Sequence, residues 1–347
     1  MTIKSSGSSL AFTEIETEFG SQSPRSLGSY RHTQTVDGLT FNGIDTNIPT
    51  SGQIKFSDFY GKSLNIVVDC FSNPNTDEFR INAKNGKWNN NDIVIINPST
   101  VSKREEGTKI TIRVNKKIGS DKSGVNNCAL RTGSWTNPAA IIVDLGSNAK
   151  VLGSGGNGGK GADGIANNGD DGGDGSSGLG IEHQGTVVNL RSGAIIRAGY
   201  GGGGGGGGGR ETSKNDRRAG GGGGGGGAGF PFGLGGAGGV PQSGTRQSPN
   251  DEGTDGDNGT ETSGGSGNSG GDNDDQAGGG RGGNGGDNEA AAQAGTESST
   301  QGHTKPPGNA GSGGSSGAAI RKSSGVSFTF GIDDGTKTGD TNATGVS

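Results

Sequence analysis

The residues best suited to chemistry in this chain are cations and amides grouped in polar stretches. Arg210, Lys214, Asn215, Arg217 and Arg218 lie in RETSKNDRRA, Arg246 and Asn250 in VPQSGTRQSPNDE, and Asn167 and Asn168 in a third stretch. Guanidinium and ammonium groups donate to carboxylates, phosphates and sugar acids, and amides add the hydrogen bonding that glycans use. This is recognition chemistry, not bond-breaking chemistry. The three histidines, His32, His183 and His303, stand in polar or Gly-flanked settings without a nucleophile elbow, HExxH or P-loop. Gly-x-Gly-x-x-Gly matches are by-products of composition, and Asp170 with Asp171 reads as a turn rather than a glycosidase pair. No catalytic residue, cofactor or metal ligand is therefore assigned, and the chain reads as no enzyme. The acidic pieces GDDGGDG (169–175) and GGDNDD (270–275) leave a calcium-binding surface adhesin as a minor alternative, although the regular aspartate-containing nonapeptide array is missing.

The elements that must position these residues are unusual. Of 80 glycines in 347 residues, most lie between residues 151 and 320, and hydrophobic residues make up only 25% of the chain, so this half cannot be held by an oily interior. Glycines fall at every third position in separate runs: 155, 158, 161, 164; 169, 172, 175, 178; 233, 236, 239; 253, 256, 259; 264, 267, 270; 279, 282, 285; and 308, 311, 314, 317. Three residues per turn is the period of a polyproline-II helix, which leaves its backbone groups pointing sideways. Collagen needs unbroken phase and abundant proline, and this chain has ten prolines. The remaining solution is one chain folded back and forth, with short left-handed helices bonding to their neighbours. Gly-x-y then suits an outer leg, and the unbroken glycines 201–209 and 220–227 suit legs surrounded on all sides. A disordered Gly/Ser/Asp segment is the competing reading. Chain parity places 165–168, 210–219 and 240–252 together at the free end, and puts Phe230 and Phe232 of GFPFGL beside the base, shielded from solvent. At least nine legs are expected over 153–317, but the triplet runs give seven from Gly199 to Gly317, an odd number for a chain that must finish at the base.

The expected fold is mainly β plus irregular, with little α-helix. Residues 1–62 form a small N-terminal module, in which SGSSLAFTEI echoes SGQIKFSDF. Leu10-x-Phe12 suits a short strand, and Thr13 with Glu16 a capping box. Residues 63–152 read as an all-β domain of β-branched runs, with Trp88 and Trp135 as core or sheet-edge residues. Residues 153–317 are the glycine-rich bundle with a β insertion at 185–198, and 318–347 a β return and tail. IVDLGSNAKV (142–151) matches VVNLRSGAII (187–196), with a weaker third copy at KSSGVSF (322–328), each reading as two short strands around a tight reversal in which Asn148, Gly193 and Gly325 take positive φ. Cys70 and Cys128 are expected as buried free thiols, a disulfide being the alternative, and they make no zinc site.

A net charge of −5 with interspersed signs favours neither nucleic acid nor an anionic membrane. MTIKSSGSSL has no apolar h-region, and no run is long enough to span a bilayer, so synthesis in a cytoplasm is expected.

The segment LRTGSWTNPAAIIVDLGSNAKVLGSGGNGGKGADG (130–164) resembles a phage tail-fibre and tail-structural family in which a TGSW passage leads from β-structure into a glycine-rich region. SGSSLAFTEIETEFG with IKFSDFYGKS is similar to a leader shared by many virion structural proteins, which implies that residues 1–62 are an N-terminal virion-attachment module, with Leu10, Phe12, Ile15, Phe56 and Phe59 as candidate attachment residues. In composition and leg length the glycine-rich half resembles the tip adhesins of T-even-type long tail fibres. The resemblance implies a bundle of polyglycine helices with receptor-reading loops at its free end, a place in the virion, and partners of two kinds: other tail or fibre proteins through the N-terminal module, and a host-surface glycan or outer-membrane protein. The separate N-terminal module and β domain depart from those adhesins, and homo-oligomerisation is left open. The alternative is a passive spacer or decoration protein of the virion. The length of the polar loops favours the adhesin, since a spacer needs only minimal turns.

Overall fold

Short β-branched strands bury one face only when neighbours cover it, and here parallel strands from successive turns of the chain do so. In the computed structural model, residues 3–19, 25–30, 33–36, 39–42, 48–49, 51–62, 65–70, 81–83, 94–95, 109–120, 122–164, 167–210, 218–241, 251–273, 277–300 and 308–346 are described. The fold is mainly β and irregular, with one α-helix, Phe12–Phe19, among the described residues.

Three parallel sheets wind into a three-sided solenoid. The first sheet stacks Asn65–Cys70, Lys109–Val114, Ala140–Leu145, Thr186–Leu190 and Phe328–Asp333. The second stacks Lys117–Ile118, Lys150–Leu152, Ile195–Arg197 and Thr336–Thr338, and the third Ile81–Asn82, Cys128–Arg131, Ser177–Ile181, Ile320–Lys322 and Ala343–Thr344. Val94–Ile95 adds an antiparallel strand beside Asn65–Cys70. Register puts like on like: Val68, Ile112, Val143, Val188 and Phe330 form one column down the core. Trp135 is buried, its indole N–H donating to the Thr132 carbonyl at 2.6 Å, and Cys128 is a buried thiol outside any disulfide among the described residues. The strands of 63–152, 185–198 and 318–347 are thus rungs of one solenoid, not a domain, an insertion and a tail.

The repeat between 142–151 and 187–196 is this register, Val143 on Val188 and Val151 on Ile196. The expected tight reversal is instead a corner between two sheets. Gly193 takes φ 89° there and Gly325 φ 78°, but Asn148 does not: the non-glycine residue with positive φ among those described is Asn137. KSSGVSF is also out of place as a third copy. Its Gly325 turns the chain from the third sheet into the first, as Gly185 does one rung earlier; the true third copy runs from Thr329, on Val187, to Lys337, on Ile196.

The glycine-rich sequence leaves the solenoid twice at the same corner, after Leu152 and after Arg197, which are paired in the second sheet. It returns at Ser177 and Ile320, in neighbouring strands of the third. Between these points it makes ten extended legs: 153–164 (leg 1), 167–176 (leg 2), 199–209 (leg 3), 219–229 (leg 4), 233–241 (leg 5), 251–260 (leg 6), 264–272 (leg 7), 278–287 (leg 8), 291–299 (leg 9) and 308–318 (leg 10). Each bonds sideways with a spacing of three. The N–H groups of Gly155, Gly158 and Gly161 donate to Pro231, Leu234 and Ala237 of leg 5 and its approach, and those of Gly156, Gly159 and Ala162 to Tyr200, Gly203 and Gly206 of leg 3. The unpaired backbone of such legs is satisfied in this way, as buried amides require.

Glycine content follows the number of neighbours. Leg 4 donates to legs 1, 6 and 8 and accepts from legs 3, 5 and 7; leg 3 donates to legs 2, 4 and 9 and accepts from legs 1, 8 and 10. These two surrounded legs carry 201–209 and 220–227, and a Cβ at any of those positions would strike backbone. Legs 1 and 8 bond to four neighbours and carry about two glycines per triplet; among the legs with three neighbours, legs 5 and 7 come close to that, legs 2, 6 and 10 carry about one, and leg 9 fewer. Leg 9, AAQAGTESS from Ala291, has only Gly295 and no triplet signal. It is the leg missing from the sequence count, and with it the legs from 199 to 318 become even in number.

In the N-terminal module, Phe12 begins the helix and not a strand. The helix start is capped not by Thr13 with Glu16 but by Glu14, whose Oε2 accepts from the Ala11 N–H at 2.7 Å; Ala11 has no side-chain oxygen to complete a capping box. The echo at 51–59 repeats this motif: the Asp58 Oδ2 accepts from the Lys55 N–H at 2.7 Å at the start of the 3-10 helix Phe56–Phe59.

Candidate functional site

Because the legs alternate in direction, every second connection falls at the end remote from the solenoid. The described residues flanking 165–166, 211–217, 242–250, 274–276 and 301–307 meet there. Gly164 bridges to Pro241, Gly209–Arg210 pairs with Arg218–Ala219, and Asp272–Asn273, Ala277–Gly278 and Ser299–Thr300 form a three-stranded sheet. The Gly208 N–H donates to the Asn167 carbonyl at 3.0 Å and the Gly220 N–H to that of Asp251 at 2.8 Å. This end therefore rests on backbone bonds to the interior legs.

Four of the nine candidate receptor-contact residues are placed here. Asn167 and Asn168 are exposed. Asn168 has one function already, since its Oδ1 accepts from the Asn309 N–H at 3.0 Å. Arg210 lies opposite Arg218 in register, and Arg218 is half-buried. Lys214, Asn215, Arg217, Arg246 and Asn250 lie outside the described residues.

The attachment candidates divide differently. Ile15 and Phe59 are fully buried, and Leu10 and Phe12 pack on the same cluster with Phe19 and Tyr30. They build the module's core and have little surface to offer a partner; Phe56, 40% exposed, is the one that does.

At the solenoid end the connections are short. The Phe230 N–H donates to the Gly153 carbonyl at 2.8 Å, the Ser120 N–H donates to the Phe230 carbonyl at 3.3 Å, and the Lys117 ammonium lies 3.6 Å from the ring centroid. Phe230 is thus beside the base as parity requires, but Phe232 is 44% exposed and not shielded. The next turn inserts Glu261 among Lys117 (3.4 Å), Lys150 (3.6 Å) and Arg197 (3.5 Å). Burial pushes the Glu261 carboxyl up, but Lys150, Lys117 and Arg197 together outweigh it and hold the group below its ordinary value. No sequence motif pointed to Glu261, because its partners come from three rungs.

The acidic stretches have a structural use. Asp171 and Asp174 on leg 2 accept from the N–H groups of Ser312 and Ser315 on leg 10, both at 2.7 Å. Asn157, Asp255 and Asn258 likewise accept from Leu234, Gly238 and Gly235. Where an outer leg has no neighbour to take its N–H, a short polar side chain takes it. The signal was Asp or Asn at period three out of phase with glycine. Among the described residues no group of three or more His, Cys, Asp or Glu could hold a metal ion, and no helix is long and apolar enough to cross a membrane.

Comparison with known proteins gives a family and one similar solved structure. Residues 78–342 match the family model described as phage tail fibre adhesin Gp38. A crystal structure of the gp37-gp38 adhesin tip complex of the bacteriophage S16 long tail fibre is similar at 19% sequence identity, covering 85% of this chain and 90% of that chain, with a TM-score of 0.40. No curated protein matches the sequence.

Proposed function

The chain belongs to the phage tail fibre adhesin Gp38 family, and from that premise we propose that it binds the host cell surface, without catalysis, through the polar connections at the free end of the bundle. One observation carries this reading: apart from the solenoid rung at 177–198, the three longest connections between legs, 210–218, 242–250 and 300–307, all fall at the end remote from the solenoid, whereas the turns 230–232, 261–263 and 288–290 at the solenoid end are short. Loops on a rigid scaffold can vary and recognise without disturbing the frame. Arg210, Lys214, Asn215, Arg217, Arg218, Arg246, Asn250, Asn167 and Asn168 supply donors for the carboxylate, phosphate or sugar-acid groups of a glycan or for the loops of an outer-membrane protein. The family match begins at residue 78, beyond the N-terminal module, and that module is the part left for docking to another tail or fibre protein of the virion.

The spacer reading is weaker because its loops would be minimal, whereas 211–217, 242–250 and 301–307 are all longer than the turns at the solenoid end. Exchanging 210–219 for a Gly-Ser turn of equal length should abolish adsorption to host cells while virions still assemble. Normal adsorption of such virions would remove that loop from the receptor site.

A further inference from the structure

The outward positions of the bundle legs meet water, and they are polar or alanine on every leg but one. Leg 5 turns Leu234, Ala237 and Val240 outward at period three, following Phe232. Leu234 is 54% exposed, Val240 50% and Phe232 44%, three of the four large exposed hydrophobic residues among those described. Exposed apolar side chains scattered singly mean little, but a row on one face marks a contact surface. At its solenoid end the row enters a groove of about 400 Å³ between leg 1, the Phe230–Phe232 turn and Ser120, Lys122 and Ser123 of the solenoid corner, a volume in the range of small-molecule sites.

The polar groups of this groove are positioned, not incidental. The Asn157 Oδ1 accepts from the Leu234 N–H at 2.9 Å, which fixes the amide and leaves its NH2 as an outward donor. The opposite wall is braced from behind: the hydroxyls of Ser120 and Ser154 donate to the Lys122 carbonyl at 2.8 and 3.0 Å. Lys122 and Ser123 stay exposed on that wall. An aromatic ring and an aliphatic side chain on one side, with a fixed amide donor, a hydroxyl and a single ammonium on the other, is the chemistry that takes a sugar ring. Its C–H face lies on Phe232 and Leu234, its hydroxyls meet Asn157 and Ser123, and an anionic substituent meets Lys122, the one charged residue among the described residues that line the groove.

We propose that the groove bounded by Phe232, Leu234, Asn157 and Lys122 is a second binding site, for an acidic oligosaccharide of the host envelope, separate from the free-end loops. It lies near the solenoid, a full leg length from those loops, so it can engage a surface glycan while the tip engages its own receptor.

The test uses the full chain, with phosphorylated lipopolysaccharide core oligosaccharide and its dephosphorylated form as probes, read by saturation-transfer NMR and calorimetry. Phe232→Ala should weaken binding of both probes by roughly tenfold or more, as loss of an aromatic contact does. Asn157→Asp keeps the acceptor for the Leu234 N–H, so the bundle is intact, but it removes the donor and repels the anion; it too should weaken binding. Lys122→Ala should erase the preference for the phosphorylated form. Exchange of 210–219 should leave all of this unchanged, so loss of the tip reading and loss of this one are separable. The proposal is overturned if the wild-type chain binds neither probe, if Phe232→Ala and Asn157→Asp bind like wild type, or if the loop exchange alone abolishes oligosaccharide binding. It is equally overturned if the probes do not bind and Phe232→Ala instead dissolves a dimer seen by sedimentation, which would assign the row to self-association.

Discussion

Two glycine-to-alanine substitutions of identical chemistry should differ sharply, because one glycine sits in an interior leg and the other at a looser outer one. A Cβ on Gly205 would land on the Lys160 carbonyl, with the Gly161 nitrogen at 2.9 Å, so legs 1 and 3 must part. The bonds joining those legs are Gly156 to Tyr200, Gly159 to Gly203 and Ala162 to Gly206, at 2.8 to 2.9 Å. At about 1 kcal/mol net per bond their loss costs about 3 kcal/mol, before any penalty for N–H groups left buried and unpaired. For a unit of this size that lowers Tm by roughly 6–12 °C. A Cβ on Gly173 meets only the Asn157 nitrogen at 3.1 Å and oxygen at 3.4 Å. A small shift relieves it, and the reduced freedom of the unfolded chain offsets the cost, so Gly173→Ala should stay within about 0.5 kcal/mol of wild type. Thermal melts by circular dichroism, with hydrogen exchange on legs 1 and 3, read both. If Gly205→Ala melts within about 2 °C of wild type, or Gly173→Ala falls as far as Gly205→Ala, glycine content does not report packing and the neighbour argument fails.

The acceptor ladder predicts that Asp171→Asn, which keeps a carbonyl oxygen for the Ser312 N–H, is close to neutral, whereas Asp171→Ala costs up to about 1 kcal/mol in denaturant melts; equal losses would mean that the charge, not the acceptor, matters. Glu261 has a folded pKa below its unfolded value, so its stabilisation is fully present above the unfolded value and is lost as pH falls through the folded one. Melting temperature should therefore fall in acid by less in Glu261→Gln than in wild type, and parallel pH profiles for the two would refute that role. Exposed Phe56, but not buried Phe59, should tolerate alanine without loss of module folding, with virion incorporation of Phe56→Ala reporting whether it contacts a partner.

Much of this was legible in the sequence because glycine spacing reports packing directly. The period of three located most legs, and the two unbroken runs marked the surrounded pair. Leg 9 was invisible: touching three neighbours, it uses alanine and a single glycine, and so carries no triplet. The repeat at 142–151 and 187–196 was visible, but its geometry was not. Two strands about a Ser-Asn or Ser-Gly pair fit a hairpin and a solenoid corner equally well, and only pairing with the next rung decides between them. At the site, the loops could be assigned to one end by parity. Glu261 and the groove beside Phe232 could not be found, since each joins residues from separate rungs and legs.

The register of the solenoid also sets the register of the bundle. Leu179 pairs with Ile320 in the third sheet, a separation of 141 residues, and the same separation continues outward through Ser177 with Ala318, Asp174 with Ser315, Asp171 with Ser312 and Asn168 with Asn309. Legs 2 and 10 are thus the sheet pairing extended into glycine-rich sequence by side-chain acceptors. The consequence for function is a division of labour along one molecule. The core columns and the inward glycines admit almost no change, because a Cβ at an interior glycine meets backbone. For the host-binding role proposed for the distal end, the described residues that flank its connections keep the spacing set by this register.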